Sequence, residues 1–593
     1  MMLLSLSAVG SWIVSLAQFD RSELRAMTDL GLVTLLPVTF FVALGLLAVS
    51  FTVFITRKEQ TLAFALTHVG ALIAFLHATP AILYGTPRYP FTYKHVGVAE
   101  YIQRHGSVDL GIDAYFNWPG FFAGSALLSD LAGLDSPLGL STWGPVFMNV
   151  VIVIALAGLV HTISRDATIA WLAVWFFLLS NWVAQDYFAP QALGFALHLS
   201  LLAIFISFFG KRRWRFVPAS GSTVASVDPD SQPGTWAREL PPWLRVGGLC
   251  IILTTFAAIV AAHQLTPFIT LASTLALILL RLGRARFLPV VMIVVLATWF
   301  TYMTEPYLSG HLAELLMHLG RLFDNINIAS QVLTAPSNGE LSSERALILG
   351  IRQWLTIFMA IIAILGGIRR VRRGYVDWVA IVLLLMPASM IALQPYGGEI
   401  IMRIYLFSLP MLAWFAAAAV FPNGAEQRSR ATGPVVLVLS IIMMTGMVFA
   451  YYGNESMNYV TEEELRVLEH LHSIAPTGAL VVTATHNAPV RAARYEELTY
   501  LPLSDFLPLQ SGAPGAVDRV SALAVLLHEE ARPAVYVLFS RSQAANARLF
   551  GLLSDIDIET LELQMEESPR FEVLRRSGDA SLFEFVRTTG AVR

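Results

Sequence analysis

Twelve apolar runs, each near the length that crosses a bilayer, recur along this chain and constrain its fold more than any motif does. A helix needs about 20 mostly apolar residues to span the hydrocarbon. The runs fall approximately at 31–56, 62–84, 143–163, 168–185, 191–210, 247–263, 266–281, 287–303, 346–367, 377–393, 402–421 and 434–452. Backbone entering lipid must satisfy its own N–H and C=O groups, so such runs specify a helical bundle. Only 14% of the 593 residues are charged, against roughly 25% in a soluble domain. The expected fold class is a polytopic α-helical membrane protein of about 12–13 spans. The thirteenth is the apolar segment 1–18, which lacks the Lys/Arg start and the cleavage site of a secretory signal. It reads equally as a short span or an interfacial helix.

Cytoplasmic loops carry the excess of Lys and Arg. One alternate set of loops holds Arg57 and Lys58; Arg165; Lys211, Arg212, Arg213 and Arg215; Arg281, Arg284 and Arg286; Arg369, Arg370, Arg372 and Arg373; Arg428 and Arg430. The other set holds only scattered cations, such as Arg88, Lys94, Arg104, Arg321 and Arg345. The first set is therefore inside, and 85–142, 185–190, 263–267, 304–345, 395–403 and everything after about 453 lie outside. The stretch 210–242 becomes a cytoplasmic loop with a disordered polar middle and no chemistry. Net charge is -3 and no basic stripe follows a phosphate backbone, which argues against nucleic acid as a partner. The single cysteine, Cys250, excludes an intramolecular disulfide and a cysteine metal cluster. It reads as a small buried side chain.

Two polar knots interrupt the apolar pattern on the outer side. One is TPRYPFTYKHVGVAEYIQRHGSVDLGIDAYFNWPGFF at 86–122, and the other is NWVAQDYFAPQ at 181–191. The last 140 or so residues change character. Short β-rich runs, ALVVTAT and AVYVLFS, alternate with the helical patterns TEEELRVLEHLHSI and VDRVSALAVLLHEE, which predicts an extracytoplasmic α/β domain. Thr461 and Glu464 have the spacing of a helix capping box. The domain carries no glycine-rich phosphate loop and no nucleophile elbow, so it is expected to cover or support a membrane site. The expected organisation is N-terminal helices at 1–61, a membrane module with its large outer loop at 62–303, an outer loop and further spans at 304–452, and the α/β domain at 453–593.

This order of parts resembles the GT-C superfamily of membrane glycosyltransferases. HVGVAEYIQRHG looks like the first juxtamembrane helix of that superfamily and NWPGFFAGSALLSDLAGL like the second. TYKHVGVAEYI, NWPGFF, NWVAQDYFAPQ and YGGEIIMRIYLF are similar to an actinobacterial group of such proteins. The resemblance covers most of the chain from about residue 62 and rests on architecture more than on an invariant motif. It implies transfer of a sugar from a polyprenyl-phosphate donor, at the plasma membrane and on its outer side, to a cell-envelope glycan, lipid or protein. The superfamily usually places an aspartate at the start of the first juxtamembrane helix, as base or metal ligand. Here that place reads Thr92, Tyr93, Lys94, His95.

Such a transfer needs a group to take the acceptor's proton and cations to hold the departing phosphate. Asp186 and His95 are the candidate bases. An ionisable group at membrane depth is by default a functional candidate, although an aspartate before a helix start also serves as a cap. Lys94 and Arg403 are the candidate phosphate ligands, with Glu399 four residues before Arg403 on one helix face. Glu100 and Asp113 add loop carboxylates, with a solvated or structural role as the simpler alternative. Asn117 and Trp118 suit a sugar, the indole by stacking and the amide by bonding hydroxyls. Gln185, Tyr187 and Gln191 surround Asp186 in the second knot. His263, Gln264 and Thr266 form an outer turn suited to substrate contact or to capping, and Arg352 and Glu305 complete the ring. A divalent metal near Asp186, His95 and Glu399 is compatible with these residue types, but no spacing rule supports it. Two other functions fit the same features: a flippase of lipid-linked sugars, and a non-catalytic protein that binds a lipid-linked glycan as a scaffold.

Overall fold

A computed structural model describes residues 1–164, 166–210, 241–318, 320–327, 342–392, 398–422, 429–505, 519–552 and 555–587. The expected inner cations Arg165, Lys211, Arg212, Arg213, Arg215 and Arg428, the loop 211–240 and the motif start at 395–397 lie outside the described residues.

Uncharged runs rich in Leu, Val and Ala become helices, and among the described residues eight are long and apolar enough to cross a membrane: Val38–Ile55, Leu62–Tyr84, Gly144–Ser164, Pro190–Phe209, Pro242–Ala262, Ser343–Arg372, Ile400–Val420 and Thr432–Tyr452. The bent pair Leu288–Tyr302 and Glu305–Ala313, 91° apart, brings the number to nine if it counts as one span. Among the described residues, the other runs of the expected twelve form shorter helices or the bent pair. Ala167–Leu178, Thr266–Leu279 and Trp378–Ala392 are helical but short, because each run is cut by polar or proline residues before it reaches span length. Met2–Gln18 stands upright within the bundle. Its Ser5 hydroxyl lies 2.8 Å from that of Ser50 and its Trp12 indole donates to Thr79 at 2.9 Å. Cys250 is exposed, not buried. The helix Pro242–Ala262 buries the face carrying Gly248, Ile252, Phe256 and Ile259, and Cys250 falls on the opposite one.

The short helix Ala167–Leu178 matters most. Gly144 packs against Phe188, and the helix Gly144–Ser164 leads away from that level, so the chain must return across the bundle before Pro190. Twelve residues supply about 18 Å of an apolar core about 30 Å thick. Residues 179–189 cover the rest without regular structure. Pro190 opens the next helix and holds Ala189 extended, as a residue before proline prefers. Ala184 adopts a positive φ of 56°. Irregular backbone at this depth survives only inside protein or along a cavity. Accordingly the Tyr405 hydroxyl donates to the Ser180 carbonyl at 2.9 Å, and the Trp182 indole donates to Thr356 at 3.0 Å.

The C-terminal region forms a five-stranded sheet in the order β2-β1-β3-β5-β4, with β1 Leu480–Thr483, β2 Thr499–Pro502, β3 Val535–Ser540, β4 Phe571–Arg576 and β5 Ala580–Phe585. β1 runs parallel to β2 and β3, and β5 runs antiparallel to β3 and β4. The capping box is present: Thr461 accepts from the Glu464 N–H and Glu464 from the Thr461 N–H. The other Glu464 oxygen accepts from the Ser542 N–H at 2.9 Å, so this carboxylate occupies the start of the helix after β3, where a phosphate would otherwise sit. The domain seats directly on the helix Pro90–His105, where a Cβ on Gly97 would lie 1.9 Å from the Arg491 carbonyl oxygen.

Candidate active site

Two cavities lie beside the unwound segment and the helix Pro90–His105, and the second is also walled by the C-terminal region. The first, of about 250 Å³, is lined by Lys94, His95, Asp113, Tyr115, Trp118, Gln185, Tyr187, Gln191, His263, Gln264 and Arg403 among others. The second, of about 300 Å³, includes Tyr89, Gln185, Tyr187, Arg352, Glu399, Asn454, His486, Asn487 and Asn546 in its wall. Gln185 and Tyr187 face both. Tyr89, at a φ of 100°, is a strained position for a bulky residue. Its N–H is held by the Asn458 carbonyl at 3.3 Å.

His95 is buried and stacks on Tyr187, ring centroids 5.6 Å apart. Its Nδ1 donates to the Phe188 carbonyl at 2.8 Å. In the neutral ring Nε2 then carries the lone pair. Burial pushes the pKa of His95 down to about 4, so at neutral pH the ring is an uncharged acceptor. Lys94 lies 3.2 Å from Asp113 Oδ2 and over the Tyr115 ring. Burial lowers its pKa, with Asp113 opposing. Asp113 also caps its short helix through the Tyr115 N–H and accepts from the Tyr495 hydroxyl at 2.8 Å. Burial raises its pKa, but Lys94, Tyr495 and the Tyr115 N–H outweigh that, and the net shift is downward. Arg403 reaches Glu399 at 2.8 Å, the expected pair, but Glu399 faces the second cavity while Arg403 faces the first.

Two further residues of the first cavity stand out. Gln191 is 3% exposed, yet neither its amide nitrogen nor its oxygen has a hydrogen-bond partner among the described residues. The buried Trp118 Nε1 is likewise without one. Buried polar groups are nearly always paired, so these two are groups of the wall with hydrogen-bonding capacity to offer a ligand or water.

Asp186 does not line either cavity. It is 1% exposed and accepts from Asn149 Nδ2 at 2.6 Å and from the Tyr451 hydroxyl at 3.2 Å. His77 Nδ1 lies 3.2 Å from the same carboxylate and 2.8 Å from the Tyr451 hydroxyl. His77 sits in a π-helical turn, Ala74–Ala78, of its span. The expected base is thus the centre of a sealed hub that holds the unwound segment. Other expectations are also displaced. Glu100 pairs with Arg104 at 3.3 Å away from both cavities, and Asn117 spends its amide N–H groups on the Leu110 and Asp113 carbonyls. Arg352 donates to the Ala450 carbonyl from the wall of the second cavity, and Glu305 is exposed. Among the described residues no three His, Cys, Asp or Glu side chains converge as metal ligands. Asp186, His95 and Glu399 occupy three separate surroundings and do not form the ligand set considered above.

Sequence reasoning missed Glu455, which is fully buried. It accepts from Arg88 at 2.6 Å, from the Tyr84 hydroxyl at 2.7 Å and from Asn458 at 3.1 Å, tying the segment after the helix Leu62–Tyr84 to the start of the C-terminal region.

No protein-family model matches the chain, and no curated protein matches it. Among solved structures, it is similar to the Archaeoglobus fulgidus oligosaccharyltransferase in its apo form, at 11% identity over 84% of this chain and 72% of that one, with a TM-score of 0.48. It is similar to the archaeal oligosaccharyltransferase AglB from the same organism, in complex with an inhibitory peptide and a dolichol-phosphate, at 11% identity over 89% and 74% with a TM-score of 0.49. ArnT from Cupriavidus metallidurans bound to undecaprenyl phosphate is similar at 11% identity over 94% and 99%, with a TM-score of 0.44.

Proposed function

We propose that the protein is a membrane glycosyltransferase that works on the extracytoplasmic side. It moves a sugar from a polyprenyl-phosphate donor to a cell-envelope glycan, lipid or protein. The observation that carries this reading is the first cavity. It combines unpaired hydrogen-bonding groups suited to sugar hydroxyls, on Gln191 and Trp118, with an acceptor nitrogen on His95 and the cations Lys94 and Arg403. Counted with Asp113, the charged groups of the wall leave one net positive charge, which suits a phosphate. The outer placement rests on the loop-charge bias. A flippase would concentrate polar groups at midplane between internal repeats, whereas these converge where the helices Pro190–Phe209 and Ile400–Val420 begin and Pro242–Ala262 ends, at one end of the bundle.

In this mechanism His95 Nε2 takes the acceptor's proton as the new bond forms, and Asp186 acts at one remove, as a positioning residue for Gln185 and Tyr187. His95→Asn keeps a donor for the Phe188 carbonyl and deletes Nε2. With purified protein and a radiolabelled undecaprenyl-phosphate sugar, it should slow transfer by about 10²–10⁴-fold without lowering the melting temperature. Transfer at the wild-type rate in His95→Asn rules out the histidine, and binding without turnover by the wild type favours the scaffold.

A further inference from the structure

The first cavity contains a second histidine, and its protonation is fixed by geometry in the sense opposite to that of His95. His263 follows the helix Pro242–Ala262, and its Nδ1 faces the start of the helix Thr266–Leu279. There it accepts from the N–H groups of Leu265 at 3.3 Å and Thr266 at 3.2 Å, and lies 2.9 Å from the Thr266 hydroxyl. A ring nitrogen that accepts from backbone N–H groups carries no proton, so the proton of the neutral ring is on Nε2. The residue is also held closely at its base, since a Cβ on Gly194 would lie 3.3 Å from the His263 Cβ and 3.1 Å from the Thr266 hydroxyl oxygen. Both histidines line one cavity, one presenting a bare nitrogen and the other an N–H.

We propose that His263 is the hydrogen-bond donor to the leaving phosphate, opposite His95, and that the cap on Thr266–Leu279 is what commits it to that role. The inference rests on the transferase reading and orients the substrates within it. The acceptor oxygen bonds to the anomeric carbon while the bond from that carbon to the donor phosphate oxygen breaks. The acceptor's proton passes to His95 Nε2. The phosphate departs with the electron pair and takes a hydrogen bond from His263 Nε2–H, with Arg403 on the same wall. A preorganised donor aimed at developing charge requires no reorganisation during the reaction.

His263→Asn separates the two jobs of this residue, because its amide oxygen replaces Nδ1 as the cap acceptor while the Nε2–H is lost. In full-length protein, His263→Asn should slow transfer about 10²-fold and weaken binding of undecaprenyl phosphate about tenfold, with the melting temperature unchanged. His95→Asn should leave that binding intact. Undecaprenyl phosphate binding that is indifferent to His263→Asn, or that is lost instead in His95→Asn, overturns the assignment and leaves the transferase reading standing. Wild-type protein that does not bind undecaprenyl phosphate overturns both. If His263→Asn does not fold, the ¹⁵N shifts of histidine-labelled wild type decide the matter, and a proton on Nδ1 of His263 overturns it.

Discussion

The first cavity and the hub around Asp186 are neighbours, both supplied by residues 181–191, both buried and both polar, yet they are built by opposite rules. In the hub both carboxylates are met, Asp186 by Asn149, Tyr451 and His77, and nearby Glu455 by Arg88, Tyr84 and Asn458, although His77 Nε2 and Asn149 Oδ1 have no partner among the described residues. In the cavity, Gln191 has no partner at either end among the described residues. Burial alone does not separate structure from function here. What separates them is whether the protein itself satisfies the central group: it does so for the carboxylate whose sequence position looks most catalytic, and not for the Gln191 amide.

The largest test of that contrast is on the sealed side. Glu455→Ala leaves the Arg88 guanidinium buried without its carboxylate and should cost about 3–5 kcal/mol, read as a lower denaturation midpoint of the purified protein. Next, Asp186→Asn turns one acceptor toward several donors and should destabilise by about 1–3 kcal/mol while transfer remains measurable. Complete loss of transfer at full stability would return Asp186 to the role of base. On the open side, Gln191→Leu keeps the volume and should leave stability unchanged or raised, while KM for the donor rises about tenfold, equivalent to about 1.4 kcal/mol. The smallest effect is with pH. With His95 held down to about 4 by burial, the base form persists on acidification, so kcat/KM should stay level through pH 6.5 and fall only as pH drops through about 4. An acid limb near 6.5, the ordinary histidine value, would mean that the ring is not buried as described.

Much of this arrangement is legible in the sequence. The two polar knots, the outer turn at His263 and the Glu399–Arg403 pair are local patterns, and the structure brings residues from all of them to adjoining cavities. The strands and helices of the C-terminal domain were likewise local signals. What could not be read is what depends on distant pairing. Arg88 and Glu455 are 367 positions apart, and neither has a neighbour that announces the other. The burial of Asp186 depends on Asn149 and Tyr451, which read as ordinary residues of apolar spans. The run 168–185 looked like a full span because hydropathy counts residues without seeing where the helix stops, and Trp182 and Val183 stay apolar after the backbone has left the helix.

The bond from His95 to the carbonyl of Phe188 comes from the main chain, as do the two N–H groups that fix His263. The basicity of one ring and the acidity of the other are therefore written in the path of the backbone and not in the chemistry of side chains 188 and 265. Those positions can exchange one apolar side chain for another that fills the same buried space while the polarity of the cavity persists, and a variant that rerouted the segment would abolish that polarity without altering a single residue that touches the ligand.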